Sequence, residues 1–245
     1  MLSKAQNKYI RSLRQQKFRQ EYSCFIAEGE KIAREWLESD ARIQIIVAIE
    51  DWITGADSLL QKHPEASICS VAEHELEALS GLQTPNKVLL AVHMPEKADE
   101  KQIDEWCIAL DNIQDPGNMG TIIRIADWFG IKYIVCSEGT VDVYNPKVVQ
   151  AAMGSHLRVN IIETKLEEFL NEVKMPVLVS APEGEDIFKM PKQAKGVLVI
   201  GNESKGVSAG VAGVAGHIIS IPRRGGAESL NAAVSAGILC AVLIG

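Results

Sequence analysis

Apolar runs alternate with segments of helical apolar spacing along the first 93 residues. Strands are predicted where β-branched and other apolar residues cluster between polar breaks, at Cys24–Ala27, Arg42–Ile49, Ala66–Val71 and Lys87–His93. Helices are predicted where apolar side chains recur every three or four residues, at Lys4–Gln16, Glu28–Glu38, Asp51–Gln61 and Glu73–Leu79. This alternation predicts a small α/β domain over residues 1–95.

The polar stretch Met94–Asp104 contains a proline and lacks apolar periodicity, and it indicates a linker at residues 96–105. Beyond it, strands are predicted at Trp106–Leu110, Tyr133–Cys136, Leu157–Ile162, Val177–Ala181, Val197–Gly201 and Ile218–Ile221. Helices are predicted at Met119–Phe129, Pro146–Ala152, Leu166–Val173 and Ser229–Leu243. The strands are apolar without clean alternation, so we expect a parallel sheet covered on both faces in a second α/β domain, residues 106–245.

Charge is spread unevenly along the chain. The 245 residues carry a net charge of −7, yet residues 1–34 hold eight basic and three acidic groups, so that segment is +5 and the remainder is −12. A local basic segment on an acidic protein is typical of a phosphate-binding surface. A solvated helix face explains the same charges equally well.

The five cysteines are scattered and never form a CxxC pair, which indicates reduced thiols and a cytoplasmic location. The histidines are equally dispersed, so no metal site is expected. The longest apolar segment, Ala232–Ile244, is too short to span a bilayer, and we expect no membrane partner.

Three glycine-containing loops follow predicted strands, where α/β proteins usually bind ligands. Neither a GxGxxG nor a GxxxxGK[ST] motif follows a strand, which disfavours a Rossmann site and a P-loop. The loops and the segments next to them hold polar groups suited to chemistry at Asn118, Arg124, Asn202, Glu203, Ser204, Ser229 and Asn231. This set contains no histidine, cysteine or paired carboxylate, and it suits group transfer by positioning better than hydrolysis.

Each of these residues also has a structural interpretation. Asn118 and Ser229 are suited to capping the helices that follow them. Arg124 lies in an otherwise apolar helix and could snorkel or pair at an interface, while Glu203 could be a solvated turn residue. Their occurrence together on three loops favours the functional interpretation.

At these loops the sequence resembles the SpoU (TrmH-like) branch of the SPOUT RNA methyltransferases. Three ordered motifs carry the resemblance, at Asn112–Arg124, Ile200–Gly206 and Ile221–Asn231, within roughly Trp106–Gly245. The resemblance implies transfer of methyl from S-adenosylmethionine to a ribose 2′-hydroxyl of tRNA or rRNA, a trefoil-knotted C-terminal domain and a homodimer. The segment Lys8–Glu35 is similar to the start of the ribosomal-protein-like RNA-binding domain that many members carry.

The resemblance also implies roles for individual residues. The catalytic candidates are Asn118, Arg124, Glu203, Ser229 and Asn231. The cofactor-binding candidates are Ser180, Ala181, Gly201, Asn202, Ile221, Ser229 and Leu230. The RNA-binding candidates in the basic segment are Lys8, Arg11, Arg14, Lys17 and Arg19. Because arginine stays protonated, we expect Arg124 to bind a phosphate and stabilise alkoxide charge, although family accounts make this arginine the base.

Three departures from the family pattern lie in or next to the third motif. Arg223 stands where the family usually has methionine, Ala232 stands where valine is common, and Arg224–Ala227 extends the motif. We expect Arg223 either to alter the rim of the cofactor pocket or to contact an RNA phosphate. The alternatives to ribose methylation are an RNA-binding protein without catalysis and a SPOUT enzyme acting on a base nitrogen.

Overall fold

The structure, a computed structural model, describes residues 2–82, 86–96 and 98–245. Its strands are β1 (Cys24–Glu28), β2 (Ile43–Ala48), β3 (Ser67–Ser70), β4 (Val88–His93), β5 (Cys107–Asp111), β6 (Tyr133–Ser137), β7 (Asn160–Thr164), β8 (Val177–Asp186), β9 (Val197–Gly201) and β10 (His217–Ser220). Its α-helices are α1 (Lys4–Ser12), α2 (Gln16–Tyr22), α3 (Glu30–Glu38), α4 (Glu50–Gly55), α5 (Asp57–Leu60), α6 (Glu73–Leu79), α7 (Pro116–Trp128), α8 (Pro146–Ala152), α9 (Leu166–Glu172), α10 (Ala209–Gly213) and α11 (Ala232–Leu243). The predicted α/β class is confirmed.

The chain forms two compact units, and one segment crosses the boundary expected from the sequence. The first unit is Met1–Glu96 with Tyr144–Leu157, and the second is Lys97–Val143 with Arg158–Gly245. The domain boundaries predicted from the sequence leave residues 144–157 in the second domain, whereas here they pack in the first unit. Within the predicted linker, Glu100–Gln102 forms a short 3₁₀ helix, and Lys97 lies outside the described residues.

The first unit is a four-stranded sheet of order β1-β4-β2-β3. Strand β4 pairs antiparallel with both β1 and β2, and β3 lies parallel to β2. One face is covered by α3, α4 and α5 through a core that includes Phe25, Trp36 and Trp52. The other face is covered by α1 and α6 through a core that includes Ile10 and Leu76. The unit therefore has three layers, with the basic helix α1 on one outer side.

The single helix predicted over Lys4–Gln16 is wrong, because the chain turns after Ser12 and begins α2 at Gln16. The turn places the side chain of Leu13 in the core, where it is fully buried. The local sequence has no proline or glycine at this turn, so the break depends on tertiary packing.

Segment 144–157, which leaves the second unit after β6 and returns before β7, completes the first unit. Its helix α8 packs along β1, and Val149 lies in the same core as Phe25. The ring of Tyr144 stacks on Phe25 with centroids 4.7 Å apart and on His156 at 5.6 Å. The predicted strand start at Leu157 is wrong, because Ser155–Leu157 is a 3₁₀ turn and β7 begins at Asn160.

The second unit is a six-stranded sheet of order β10-β8-β9-β5-β6-β7. All of its strand pairs are parallel, which confirms the predicted parallel sheet. Helices α9 and α10 cover one face through Phe169 and Val211. Helices α7 and α11 pack on each other, and they also contact β6 and β9 respectively. Among the described residues, none of the helices has the length and apolar character that a bilayer crossing requires.

Candidate active site

The carboxyl ends of β5 and β9 bring two of the predicted loops side by side. These strands are adjacent and parallel, and Asp111 at the end of β5 is in register with Gly201 at the end of β9. The amide side chain of Asn202 donates to the backbone oxygen of Asn112 at 2.8 Å, which ties the second loop to the first. Parallel strands therefore place the first two motifs at one edge of the sheet.

Asn118 joins all three motifs through hydrogen bonds. Its side-chain nitrogen donates to Glu203 Oε1 at 2.8 Å, and its side-chain oxygen accepts from Asn231 Nδ2 at 2.8 Å. Asn118 is 8% exposed, and both hydrogen bonds are partly buried, with Asn231 at the exposed end of the group. We call Glu203, Asn118 and Asn231 the amide network. Three catalytic candidates that are distant in sequence thus form one connected group.

The sequence alone suggested that Asn118 caps the helix that follows it. Helix α7 begins at Pro116 and is capped by Asp115, whose carboxylate accepts from the Asn118 backbone N–H at 2.8 Å. The interpretation of Asn118 as a cap is therefore wrong, and its side chain is available to the network. An Asp followed by Pro at the first helical position was the signal for the true cap.

The last helix begins later than predicted. Asn231 caps α11 by accepting from the backbone N–H groups of Ala233 and Val234 at 3.0 and 3.2 Å. The predicted helix start at Ser229 is wrong, and Ser229 and Leu230 instead lie exposed on the loop that follows β10. Asn231 thus uses its oxygen for the helix and its nitrogen for Asn118, which fixes the third motif against the first.

The second loop folds tightly on itself. The Asn202 side-chain oxygen accepts from the backbone N–H groups of Ser204 and Lys205, both at 3.0 Å. A Cβ on Gly201 would lie 2.4 Å from the backbone carbon of Gly206, so only glycine fits. Asn202 therefore holds the loop with its side chain. The candidates Gly201 and Asn202 both shape the backbone at the end of β9.

Two polar residues that sequence analysis did not select also hold these loops. The buried carboxylate of Asp111 accepts from the Ser208 backbone N–H at 2.7 Å. The buried hydroxyl of Ser220 donates to the Gly184 oxygen at 2.8 Å. An aspartate at the end of an apolar strand was a usable signal for the first residue. The sequence offered none for Ser220, because its partner is 36 positions away.

Ser180 and Ala181 lie where β8 leaves its neighbours. Strand β8 pairs with β10 at Leu178 and Val179, and pairing resumes at Glu185, so the intervening residues bulge outward. Gly184 in this bulge passes so close to the Ile219 backbone that a Cβ would lie 2.4 Å from its carbon. The predicted end of the strand at Ala181 is wrong, since β8 continues to Asp186. The bulge leaves backbone available beside the loop that follows β10.

The third loop carries the remaining candidates. Ile221 is partly buried at its start, and Ser229 and Leu230 are exposed near its end. Arg223 is exposed, and its guanidinium donates to the Ala227 backbone oxygen at 3.4 Å. The two positively charged side chains of this loop, Arg223 and Arg224, both lie at the surface.

Arg124 is exposed on α7, two turns beyond the start of the helix. Its guanidinium makes no hydrogen bond or ion pair with any residue that the structure describes. Because no described residue binds it, the guanidinium of Arg124 is available to bind an anionic group beside Asn118 on the same helix.

Two buried thiols of the second sheet, Cys107 at the start of β5 and Cys136 in β6, are poorly suited to nucleophilic chemistry. Burial raises the pKa of the Cys107 thiol to about 12 and raises the pKa of Cys136 even further. Both thiols therefore stay protonated and weakly nucleophilic near neutral pH. Within the described ranges, no group of three histidine, cysteine, aspartate or glutamate residues is arranged to hold a metal ion.

The basic residues of the first unit divide into exposed and structural ones. Lys8 and Arg11 lie exposed on α1, where an open groove of about 370 Å³ is lined by Leu2, Ser3, Lys4, Asn7, Lys8 and Arg11. Lys17 is exposed on α2, 5.8 Å from the centre of the Phe18 ring.

Two RNA-binding candidates have structural partners instead. Arg19 is 2% exposed and donates to the Leu13 backbone oxygen at 2.9 Å, so its selection as an RNA contact is wrong. Arg14 donates to the backbone oxygens of Leu79 and Ser80 at the end of α6. The guanidinium of Arg14 is therefore occupied in stabilising a helix terminus.

Comparison with known proteins agrees with this architecture. A sequence model of the SpoU rRNA Methylase family matches residues 105–241, and one of the MRM3-like substrate binding domain matches residues 4–90. The chain is 30% identical over 235 residues to the Bacillus subtilis 23S rRNA (guanosine(2553)-2′-O)-methyltransferase RlmP, covering 94% of this chain and 92% of that protein.

Two solved structures share the whole fold. A TrmH-family protein from Porphyromonas gingivalis superposes with a TM-score of 0.87 at 31% identity, covering 99% of this chain and 98% of that one. An AdoMet-bound rRNA methyltransferase from Sinorhizobium meliloti superposes with a TM-score of 0.88 at 28% identity, covering 99% and 96%. Fold and site together are those of an RNA methyltransferase. The chain belongs to the SpoU rRNA methylase family, which confirms the resemblance seen in its three motifs.

Proposed function

We propose that this SpoU-family protein transfers a methyl group from S-adenosylmethionine to a ribose 2′-hydroxyl of large-subunit ribosomal RNA. The observation that carries the proposal is the amide network, which connects the three motifs at one edge of a parallel sheet. The 23S rRNA target in the name of the Bacillus subtilis relative, which aligns with nearly the whole chain, supports ribosomal over transfer RNA.

The backbone at this edge fits a cofactor that has a flat ring and a sugar. Gly201 has no space for a side chain, and the bulge after Val179 exposes main chain that the sheet does not use. We assign cofactor binding to the backbones of Gly201, Ile221 and Leu230, with Ser180 and Ala181 beside them. S-adenosylmethionine supplies an electrophilic methyl group on a sulfonium.

Positioning is the main catalytic contribution that these residues can make. Holding the ribose hydroxyl in line with the methyl group and excluding water converts an encounter between two molecules into an intramolecular step. Asn231 and Ser229 would orient the ribose, and Asn118 and Glu203 would hold the loops in register. Because hydrogen bonds already connect the loops, little reorganisation is needed when the substrate binds.

Arg124 would act on the negative charge of the substrate. A guanidinium stays protonated in proteins, so it binds a phosphate and stabilises charge on the 2′-oxygen better than it removes a proton. The absence of a partner for Arg124 within the described part of the chain supports this role, because the fork needs no prior bond to break.

The first unit would bind the RNA. Lys8, Arg11 and Lys17 are exposed on α1 and α2, and the groove on α1 is lined by three cations. Lysine and arginine bind phosphates without regard to sequence, so these residues would hold the RNA backbone and leave base selection to other contacts.

We also propose a homodimer formed through the α7–α11 face. Trp128 at the end of α7 is 84% exposed, and Val234 on α11 is 50% exposed. Leu230, in the loop before α11, is also an exposed apolar residue. A second copy covering this face would remove these apolar groups from water. Sedimentation at micromolar concentration tests this, and a fully active monomer would contradict it.

Two further expectations stay proposals. A trefoil knot in the second unit is implied by the family, as an exception to the rule that connections do not thread loops. A cytoplasmic location is supported by five free, buried cysteines, since reduced thiols are usual there.

The function is tested by mapping 2′-O-methylation in ribosomal RNA from a strain that lacks the gene. One ribose methyl group should be absent from 23S rRNA and should return when the wild-type gene is supplied. Purified protein should restore the same methyl group in vitro with S-adenosylmethionine. A missing base methyl group, or an unchanged ribosomal RNA with a changed tRNA, would overturn the proposed substrate.

A further inference from the structure

Helix α7 carries a cation and an anion at neighbouring positions. Arg124 and Asp127 are three residues apart, and side chains with this spacing on a helix face each other with about 5–6 Å between Cβ atoms. Opposite charges at this spacing on a helix attract each other and can form an ion pair. Arg124 nevertheless makes no ion pair with any described residue, and the carboxylate of Asp127 has another partner.

Arg158 occupies the carboxylate of Asp127 with its guanidinium. Its Nε donates to both Asp127 oxygens, at 2.9 Å to Oδ1 and 3.0 Å to Oδ2, and its Nη2 donates to Oδ2 at 2.9 Å. The Asp127 side chain is only 19% exposed. Nε shares its single hydrogen between the two oxygens and Nη2 supplies a second, so both oxygens of the Asp127 carboxylate are engaged by Arg158.

We propose that Arg158 is a positioning residue for the methyl transfer, because it keeps the Asp127 carboxylate away from Arg124 and leaves the Arg124 guanidinium free for RNA. The inference rests on the function proposed above for Arg124. Without Arg158, Asp127 would turn to its neighbour on the helix and compete with the RNA phosphate. A bidentate ion pair between Arg158 and Asp127 is stronger than an ion pair between neighbours on one helix. In the wild-type protein Asp127 therefore binds Arg158, and Arg124 stays available for RNA.

The competing interpretation is that the Arg158–Asp127 ion pair only holds α7 against the segment before β7. On that view Arg158 only stabilises the second unit, and its loss lowers activity in proportion to the loss of folded protein. The two interpretations differ in how Arg158 depends on Arg124 and on the charge of Asp127.

The test uses the full-length protein, with kcat/KM for methylation of ribosomal RNA from the deletion strain and the Kd of that RNA as readouts. Arg158→Ala should lower kcat/KM roughly two- to fivefold, the range expected of one partly exposed ion pair. Asp127→Asn alone should leave kcat/KM at or above the wild-type value. The double variant with both changes should show the same kcat/KM as Asp127→Asn alone, so that the loss caused by Arg158→Ala disappears.

A second cycle separates positioning from stability. In protein that already carries Arg124→Ala, adding Arg158→Ala should not change the Kd for RNA further, because there is no guanidinium left to capture. The matched control is Lys132→Ala, which breaks the ion pair with Glu105 at 3.2 Å in the same unit and should leave kcat/KM unchanged. Melting temperatures of all variants are measured in parallel.

Several outcomes would overturn the inference. They are wild-type kcat/KM in Arg158→Ala, no recovery in the double variant although it is folded, or an equal loss of RNA affinity from Arg158→Ala with and without Arg124. These results would leave the proposed function intact if wild-type protein methylates the ribose and Arg124→Ala does not. Failure of the wild-type protein to methylate RNA would instead overturn the function itself.

Discussion

The loops of the second unit and the basic helices of the first unit hold their polar groups in opposite ways. In the loops, the side chains are bonded to each other, as Asn118 is to both Glu203 and Asn231. On α1, Lys8 and Arg11 are exposed and make no ion pair with any residue in the described ranges. One region is arranged before its substrate arrives, and the other presents free charge.

This difference matches the tasks proposed for the two regions. Transfer of a methyl group requires fixed geometry, since a displacement of about 1 Å can cost on the order of a hundredfold in rate. Binding to an RNA phosphate backbone requires positive charge but tolerates variation in geometry, because the attraction between cations and phosphates does not depend on the base sequence. Changes in the loops should therefore affect rate steeply, and changes on α1 should affect affinity and its dependence on salt.

Arg124 is the exception in this comparison: it lies in the same region as the hydrogen-bonded loops, yet its guanidinium has no partner among the described residues. Its removal should have the largest effect on the rate of methyl transfer. Arg124→Ala should lower the methyl-transfer rate on the order of 100- to 1000-fold, as expected for loss of a preorganised charge. Binding of S-adenosylmethionine, measured by calorimetry, should stay unchanged. Arg124→Lys should recover little, because lysine lacks the planar fork.

Lys165→Ala is the control for Arg124, since it removes an exposed cation that pairs with Glu168 in the same unit. It should methylate at the wild-type rate. A near-wild-type rate in Arg124→Ala would show that the site is assigned wrongly, and lost cofactor binding would make Arg124 structural.

The tight second loop should be the next most sensitive position. Gly201→Ala places a methyl group 2.4 Å from the Gly206 backbone, so the loop must move. Strain of this kind costs about 1–3 kcal/mol, which corresponds to weakening of S-adenosylmethionine binding by roughly five- to 150-fold. Gly213→Ala is the control, because its Cβ meets nothing within 4 Å. Equal cofactor affinity in the two variants would contradict the assigned role of this backbone.

The amide network should respond less strongly. Asn118→Ala removes two side-chain hydrogen bonds, each of which contributes about 0.5–1.5 kcal/mol, so kcat/KM should fall on the order of tenfold. Asn118→Asp should do no better, because it sets a carboxylate against Glu203. Asn171→Ala, which removes one exposed bond to Glu167, is the control and should have no effect. If Asn118→Ala keeps full activity, the network does not position the loops.

The smallest effect on chemistry is expected on α1. Replacing Lys8 and Arg11 together by glutamine should weaken RNA binding and reduce the slope of log K against log salt by roughly 1.4–1.8, the value for two phosphate contacts. Cofactor affinity should not change. Lys31→Gln with Lys62→Gln removes equal charge beside α3 and α5, on the opposite face of the same sheet, and should not alter the slope. The same change in both pairs would show that net charge, rather than α1, binds the RNA.

The sequence was informative wherever local pattern determines structure. Apolar runs located the strands to within a few residues, and the three motifs led to Asn118, Glu203 and Asn231, which the structure brings together. A short helix was harder to predict, since α2 follows a turn without glycine or proline. The burial of Arg19 could not be predicted from the sequence either, because arginine in a basic segment is usually exposed.

The remaining errors came from partners far away in the chain. Ser220 bonds to Gly184, and Asp111 bonds to Ser208 across 97 positions. Arg158 was not selected because its partner, Asp127, is 31 positions earlier. No local pattern encodes such pairs. Their roles become visible only when the sheet order is known.

The return of residues 144–157 to the first unit affects how the protein can fold during synthesis. Val149 and Tyr144 complete the core around Phe25, so the first unit lacks part of that core until Leu157 has been made, 61 residues after Glu96 (157 − 96). At roughly 5–20 residues per second, about 3–12 s pass before the segment that covers this part of the core has been synthesised. Two strands of the second sheet, β5 and β6, are synthesised in that interval. The first unit therefore completes its fold only after synthesis of the second unit has begun. Until then, chaperones that bind apolar surface could bind the exposed core at β1, where α8 packs in the finished protein.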